Sequence, residues 1–193
     1  MSVTYPIKNR KTLERFKGYY AVVKPNPRNY TMIIMGLNTA FRIGDLLQLR
    51  WKDVRDSSDG RLHTHICIRE QKTGKQRVVP INPAEKQVLT DYYAVCQYNS
   101  PGDYLFPSTR TNTLPISRYQ AYRIVKEAAI HSGLDEHISC HSLRKTFGYH
   151  AWKQGTPPAM LMDLYNHSSY RVTKRYLGIE QDERDDVYMR IDL

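Results

Sequence analysis

Apolar residues recur at helical spacing along most of this 193-residue chain, in blocks that proline, glycine and polar clusters separate. The block at residues 32–37 is almost wholly apolar, which indicates a helix buried in the core. Ser117 suits a helix N-cap and Gly133 a helix end, so they bracket another helix. The whole pattern predicts helices over residues 11–22, 28–37, 43–49, 83–96, 118–131, 141–153, 158–164 and 170–177.

The section between residues 51 and 81 has a different pattern. Residues 65–69 and 77–81 are β-prone runs, and the Lys-Thr-Gly-Lys sequence at 72–75 between them is typical of a turn. With a further run near Val54 they predict a small three-stranded antiparallel sheet. The expected fold class is therefore mainly α with one small sheet (α+β).

The charge balance adds a partner class. The chain has 29 Lys and Arg against 19 Asp and Glu, a net charge of +10, which favours a polyanionic partner such as nucleic acid. Residues 180–193 reverse this balance, with six acids against Arg184 and Arg190. We therefore divide the chain into a basic body, residues 1–179, and an acidic tail, residues 180–193, which is either a solvated helix or a segment that docks on a basic surface.

Three cysteines without a CxxC spacing indicate a reducing compartment. No signal peptide precedes the first helix, and the most apolar stretch, residues 31–49, contains Arg42 and Asp45 and does not suit a membrane span. The sequence predicts a cytoplasmic protein with no membrane partner.

Four segments are rich in residues that handle phosphate. Arg42 stands before a short helix with Asp45 three residues on, and Lys72 lies in the predicted hairpin turn. Residues 141–144 place a His and an Arg on one helical face, and a His and a Tyr follow nine residues apart. Each segment alone is ambiguous: Arg42 could form a surface ion pair, Lys72 could be a solvated lysine, and most of the 15 tyrosines should be core or rim residues.

The same region contains possible zinc ligands. His137, Cys140 and His141 are close together in sequence, but no second cluster completes a set of four ligands. We expect no metal.

The order of these segments (Arg42, Lys72, His141, Arg144, His167, then Tyr176) resembles the tyrosine recombinase, or phage integrase, family. The resemblance covers about residues 28–179 and includes the Leu-x-Leu-Arg-Trp-x-Asp-Val run at 47–54 and the His-Ser-Leu-Arg-Lys-Thr-Phe run at 141–147. Phe41 and Asn166 stand where the family usually has Gly before Arg42 and His167. The family also usually carries an N-terminal helical domain, and only about 25 residues precede the core here, as in the small recombinases that invert fimbrial genes.

The resemblance implies the catalytic-domain fold of that family and a reaction that cleaves and rejoins DNA through a 3′-phosphotyrosine. It implies Tyr176 as the nucleophile, Arg42 and Arg144 as the clamp on the phosphate oxygens, and Lys72 as the acid for the leaving 5′ oxygen. His141 would be the base, His167 a further hydrogen-bond donor, and Asp45 a carboxylate that orients Arg42 or His141.

The resemblance further implies no metal, cofactor or ATP, double-stranded DNA as the partner, and a homo-tetramer on DNA, with DNA-bending accessory proteins as further candidates. Family subunits exchange C-terminal segments, so residues 180–193 could dock in trans, or in cis as a brake on DNA binding. Three alternatives stay open: a type IB topoisomerase-like enzyme or telomere resolvase, a non-cutting DNA-binding regulator, and a piece of a longer integrase.

Overall fold

The computed structural model describes residues 4–96, 100–111, 113–134 and 137–191. Helices make up most of this part of the chain, together with one small antiparallel sheet, which confirms the predicted class. The elements, in chain order, are α1 (Arg10–Gly18) with a π-helical turn (Tyr19–Val23), α2 (Pro27–Asn38), α3 (Ile43–Leu47), α4 (Trp51–Val54), β1 (His65–Arg69), β2 (Gln76–Pro80), α5 (Pro83–Val95), α6 (Arg118–His131), α7 (Cys140–Lys153), α8 (Pro158–Tyr165), α9 (Tyr170–Leu177) and α10 (Glu180–Arg190).

Helix α2 lies at the centre of the main core. The Asn26 side chain caps its first turn and Pro27 occupies its first position, where a missing N–H costs nothing. Met32, Ile33 and Met35 are fully buried, as the apolar block at residues 32–37 predicts. Helices α5 and α7 pack on α2, so the helix that carries the His-x-x-Arg sequence is anchored in the core.

The sheet of the described residues has two strands, not the three that the sequence predicts. β1 and β2 pair antiparallel, with Ile66 opposite Val79, and Gly74 in the turn has a φ of +67°. The run near Val54 is instead the one-turn helix α4, started by Asp53, whose carboxylate accepts the Arg50 N–H at 2.7 Å. Trp51 and Val54, three residues apart, are both buried on one face of this helical turn, whereas a strand would point them to opposite faces. An isolated bridge between Arg55 and Leu62 follows the helix.

A smaller core joins α7, α8 and α9 and positions the last predicted site residue. Tyr149, Tyr165, Leu177 and Ile179 are its buried members, and Tyr176 packs against them. Gly148 permits this packing, because a Cβ there would lie 2.5 Å from the Leu177 Cδ2 and would also clash with the Tyr165 hydroxyl. The three helices are thereby held in close contact.

Helix α10 covers most of the acidic tail and contacts the body of the same chain. Its carboxylates form ion pairs with Lys8 (to Asp182, 2.6 Å), Lys153 (to Asp186, 3.2 Å) and Lys174 (to Glu183, 2.9 Å). None of its residues is buried, so the contact with the body is mainly electrostatic. Asp192 of the predicted tail lies outside the described residues.

No helix within the described ranges is both long and apolar enough to cross a bilayer.

Candidate active site

The first site residue, Arg42, directly precedes α3 and follows a strained turn after α2. Ala40 is fully buried and has a φ of +52°, a left-handed conformation that costs a residue with a Cβ about 1 kcal/mol. Phe41 stands where the resemblance predicts a glycine, but the left-handed residue is Ala40. Phe41 is instead a core residue, with the Arg77 guanidinium 5.7 Å from its ring centre.

Glu70, which the sequence analysis missed, is the carboxylate that pairs with Arg42. Its Oε2 lies 2.7 Å from the Arg42 Nη1, and its Oε1 lies 3.4 Å from the Arg77 Nη1. Thr73 donates a further hydrogen bond to it at 2.8 Å. Burial acts to raise the pKa of Glu70, but the Thr73 hydrogen bond and Arg42 together hold it below its ordinary value. A lone acid among Arg69, Lys72, Lys75 and Arg77 was the available clue in the sequence.

Asp45 makes a contact that the sequence did not predict. Its Oδ1 accepts the backbone N–H of Gln71 at 2.9 Å, so it fixes the base of the hairpin turn. The structure thus assigns Glu70, and not Asp45, as the partner of Arg42. Together the two carboxylates tie the α3 region to the residues that immediately precede Lys72.

Lys72 itself is exposed in the turn, where its ammonium can reach outward. The turn has a second contact with the site through Lys75, whose Nζ donates to the Asn166 Oδ1 at 2.6 Å. Asn166 directly precedes His167. The hairpin is therefore held against both ends of the site while Lys72 is left available.

Helix α7 supplies Arg144 to the interior of the site. Its side chain is buried, donates to the carbonyl of Ala40, and lies with Cζ 4.6 Å from the ring centre of Tyr165. The Tyr165 hydroxyl in turn donates to the Arg144 carbonyl at 2.7 Å. The strained turn at Ala40 thus links the segment of Arg42 to Arg144, and the guanidinium is fixed on two sides.

His141 lies one turn before Arg144 on the same helix, near the surface. Desolvation and the nearby cations Lys145, Arg144, Arg118 and Arg42 lower the pKa of its imidazole. The neutral ring is therefore the dominant form at pH 7, and a neutral imidazole can accept a proton.

His167 follows the end of α8. Asn166 takes the left-handed conformation there, with a φ of +54°, which Asn tolerates better than other residues that carry a side chain. This explains how Asn replaces the usual Gly without loss of the turn. The His167 Nδ1 is 3.1 Å from the Thr173 Oγ1, and its ring stacks on Tyr165. Desolvation, Arg144 and Arg42 lower its pKa.

Tyr176 completes the group. Its ring centre lies 5.2 Å from that of His167 and 5.3 Å from that of Tyr165, with the Lys145 ammonium 5.1 Å from its own ring centre. Burial raises the pKa of its hydroxyl, while the charge of Arg144, a hydrogen bond from it, and the charge of Arg42 act in the opposite direction. The phenol is therefore protonated at rest, and Arg144 and Arg42 both act to lower its pKa.

The structure thus brings Arg42, Arg144, His167 and Tyr176 together, with His141 at the rim and Lys72 on the adjoining turn. Two fixed guanidinium groups beside a hydroxyl form a site for a tetrahedral anion such as phosphate. Within the described ranges, no group of three or more His, Cys, Asp or Glu residues could hold a metal ion.

Comparisons with known proteins agree with this geometry. The sequence matches the phage integrase family over residues 12–183. It is 41% identical over 182 residues to a Bacillus subtilis (strain 168) protein named "Probable integrase/recombinase YoeC", covering 94% of this chain and 93% of that one. It is 32% identical over 152 residues to the type 1 fimbriae regulatory protein FimE of Escherichia coli (strain K12), covering 77% of this chain and 73% of FimE.

Solved structures with a similar fold include the XerA recombinase (TM-score 0.76, 20% identity, 98% of this chain and 66% of that one). Another is the XerH site-specific recombinase bound to a palindromic difH substrate (TM-score 0.72, 18% identity, 97% of this chain and 53% of that one). The chain therefore spans about half to two thirds of these structures. The fold is that of a tyrosine recombinase catalytic domain, as predicted, and the chain belongs to the phage integrase family of tyrosine recombinases.

Proposed function

We propose that this protein is a site-specific DNA recombinase that cleaves and rejoins DNA through a covalent bond to Tyr176. The observation that carries the proposal is the position of Tyr176, whose ring centre lies 5.2 Å from that of His167 and 5.3 Å from that of Tyr165, against which the buried Arg144 guanidinium lies. A tyrosine beside a fixed guanidinium and an imidazole suits attack on a phosphodiester, because these groups can stabilise the charge that develops on the phosphate oxygens.

The proposed reaction gives each side chain the role that the family resemblance implies. His141 takes the proton of the Tyr176 hydroxyl as its oxygen attacks phosphorus. Arg42 and Arg144 stabilise the charge on the non-bridging oxygens, and His167 donates a further hydrogen bond to them. The bond to the 5′ oxygen breaks, and Lys72 gives that oxygen its proton. The products are a 3′-phosphotyrosine and a 5′ hydroxyl, and attack by a 5′ hydroxyl from a partner duplex reverses each step.

We propose that the reaction uses no metal, cofactor or ATP. The phosphotyrosine keeps the energy of the phosphodiester bond, so rejoining requires no second energy source. The guanidinium groups of Arg42 and Arg144 supply the positive charge that metal ions supply in other phosphoryl-transfer enzymes.

The proposed partner is double-stranded DNA, in a homo-tetramer that unites two duplexes, with DNA-bending proteins as candidate accessory factors. The net charge of +10 supports the DNA partner, and the solved XerH recombinase is a complex with its DNA substrate. We place the reaction in the cytoplasm, in keeping with three cysteines that form no CxxC spacing. We propose residues 1–179 as the catalytic domain and residues 180–193 as its docking segment.

A trapped covalent adduct tests the proposed function. The substrate is a pool of nicked duplexes with randomised sequence around the nick, so that the short cleaved fragment diffuses away and rejoining is blocked. We expect the wild-type protein to form an adduct that survives denaturation and to enrich one family of sequences. Tyr176→Phe should form none, whereas Tyr188→Phe, on the exposed part of α10, should react as the wild type does.

The sequences recovered distinguish the alternatives. An enriched site supports a recombinase, and an adduct without sequence preference indicates relaxation of the topoisomerase kind. A protein that binds the pool without any adduct is a DNA-binding regulator, which would refute the proposal.

A further inference from the structure

Arg118, the first residue of α6, lies between two segments of the site. Its guanidinium crosses the face of Gly44, where a Cβ would be 2.5 Å from Nη2 and 3.2 Å from both Cζ and Nε. Its Nη2 also lies 3.4 Å from the Gln71 Oε1, at the residue before Lys72. Gly44 is in the first turn after Arg42, so Arg118 bridges the α3 region and the hairpin.

The charge of Arg118 is not neutralised locally. Its side chain is exposed, and none of the carboxylates that the structure describes lies within ion-pair distance of it. Arg118 is also among the cations that lower the pKa of His141, together with Arg42 and Arg144. An unpaired guanidinium held among other cations is repelled by its surroundings unless an anion joins them.

We propose that Arg118 binds the DNA phosphate next to the scissile one, on the strand that leaves with the 5′ hydroxyl. This inference rests on the proposed function and extends it. In the proposed reaction Arg42 and Arg144 bind the scissile phosphate, and Arg144 is buried while Arg118 is exposed. Gln71 places Arg118 beside Lys72, and hence on the side of the leaving oxygen.

The position explains a requirement of the reaction. After cleavage the 3′ phosphate is bound to Tyr176, but the strand with the free 5′ hydroxyl has no covalent link to the protein. A guanidinium that pairs with its first phosphate retains that strand for rejoining. Gly44 serves the same end, because any side chain there would displace the Arg118 guanidinium.

The salt dependence of DNA binding tests Arg118 without requiring cleavage. The probe is a labelled double-stranded DNA of arbitrary sequence, and the slope of log Kobs against log[salt] is measured for each variant. One lost phosphate contact lowers the magnitude of this slope by about 1. We expect this decrease for Arg118→Gln and a slope close to wild type for Arg118→Lys, which keeps the charge.

Arg123→Gln is the matched control. Arg123 is exposed on the same helix, beside Lys24, and five residues turn it about 140° away from Arg118. Its slope should remain that of the wild type. An unchanged slope for Arg118→Gln, or an equal decrease for Arg123→Gln, would overturn the phosphate contact. A slope for Arg118→Lys as low as that of Arg118→Gln would also overturn it, because Arg118 would then act through its packing.

Cleavage provides the second measurement. Given an enriched site, Arg118→Gln should raise the fraction of covalent adduct on an intact duplex about tenfold, because the 5′ hydroxyl of the base-paired released strand is less often held in position to rejoin. An adduct fraction equal to that of the wild type contradicts strand retention. If no variant forms an adduct but the slopes differ as expected, the phosphate contact stands and the proposed strand transfer fails, so the two failures are distinguishable.

Discussion

Glu70→Gln removes the carboxylate that links Arg42 to the hairpin while keeping the shape of the side chain. The oxygen-to-nitrogen distances of 2.7 Å to Arg42 and 3.4 Å to Arg77 correspond to about 6 and 5 kcal/mol of gross Coulomb attraction at an effective dielectric of about 20. Desolvation cancels much of this attraction, and breaking a buried pair typically costs about 3–5 kcal/mol. Since the Arg42 side chain is 23% exposed, we expect a loss near the lower end, about 3 kcal/mol.

Urea denaturation over a range of pH measures this loss. The pKa of Glu70 is lowered in the folded protein, so its contribution is fully present above the unfolded pKa of about 4.5 and disappears as the pH falls through the lower folded pKa. The difference between wild type and Glu70→Gln should therefore be largest at neutral pH and shrink below about pH 4.5. Glu14→Gln, in the exposed pair with Lys17, is the control and should cost under about 0.5 kcal/mol.

The same variant should impair the reaction, because Arg42 loses the partner that orients it. We expect adduct formation in a single turnover to slow at least about tenfold. A Glu70→Gln protein no less stable than Glu14→Gln, or a loss that does not vary with pH, would refute this account of the Arg42 position.

Three further outcomes follow from the described contacts. Burial raises the pKa of Glu85 to about 7, so the stability of the folded protein falls as the pH rises from about 4.5 to 7. Glu85→Gln should therefore be about 3 kcal/mol more stable than wild type at pH 8 and equal to it at pH 4.5. Equal stability of the two proteins at both pH values would contradict this. Lys72→Met should block cleavage of a normal phosphodiester but should cleave a substrate with a 5′-bridging sulfur, because the sulfur leaves without a proton. Lys75→Met is the control and should show no such rescue by the sulfur substrate. If the sulfur substrate does not rescue Lys72→Met, Lys72 is not the general acid. Because the pKa of His141 is lowered, the rate of adduct formation should fall only below about pH 6.5, and a limb that persists in His141→Gln would assign it to another group.

Much of the fold follows from local sequence features. The N-cap Ser117 and the apolar periodicity predict α6 to the residue, and residues 170–177 likewise coincide with α9. The prediction of a third strand near Val54 was wrong, because burial of Trp51 and Val54 on one helical face outweighs the local strand preference. Helix α10 was anticipated only as one of two alternatives, since its contacts with Lys8 and Lys153 join residues far apart in the chain.

Site residues could be predicted only where their order along the chain matches that of the family. The spacing of Arg42, Arg144 and Tyr176 identified residues that the structure brings together. Glu70 was missed because its two cationic partners become apparent only when the hairpin folds against α3. Arg118 was missed for the same reason, since Gly44 is 74 positions away in the chain and contacts it only in the folded protein.

Identification of the residue that carries the DNA tests directly whether Tyr176 is the nucleophile. The trapped adduct is digested with protease and nuclease, and the peptide with the attached nucleotide is sequenced by mass spectrometry. We expect a 3′-phosphate linkage on the oxygen of Tyr176, with Arg175 and Leu177 as its unmodified neighbours. Attachment to any other residue, or through a 5′ phosphate, would contradict it.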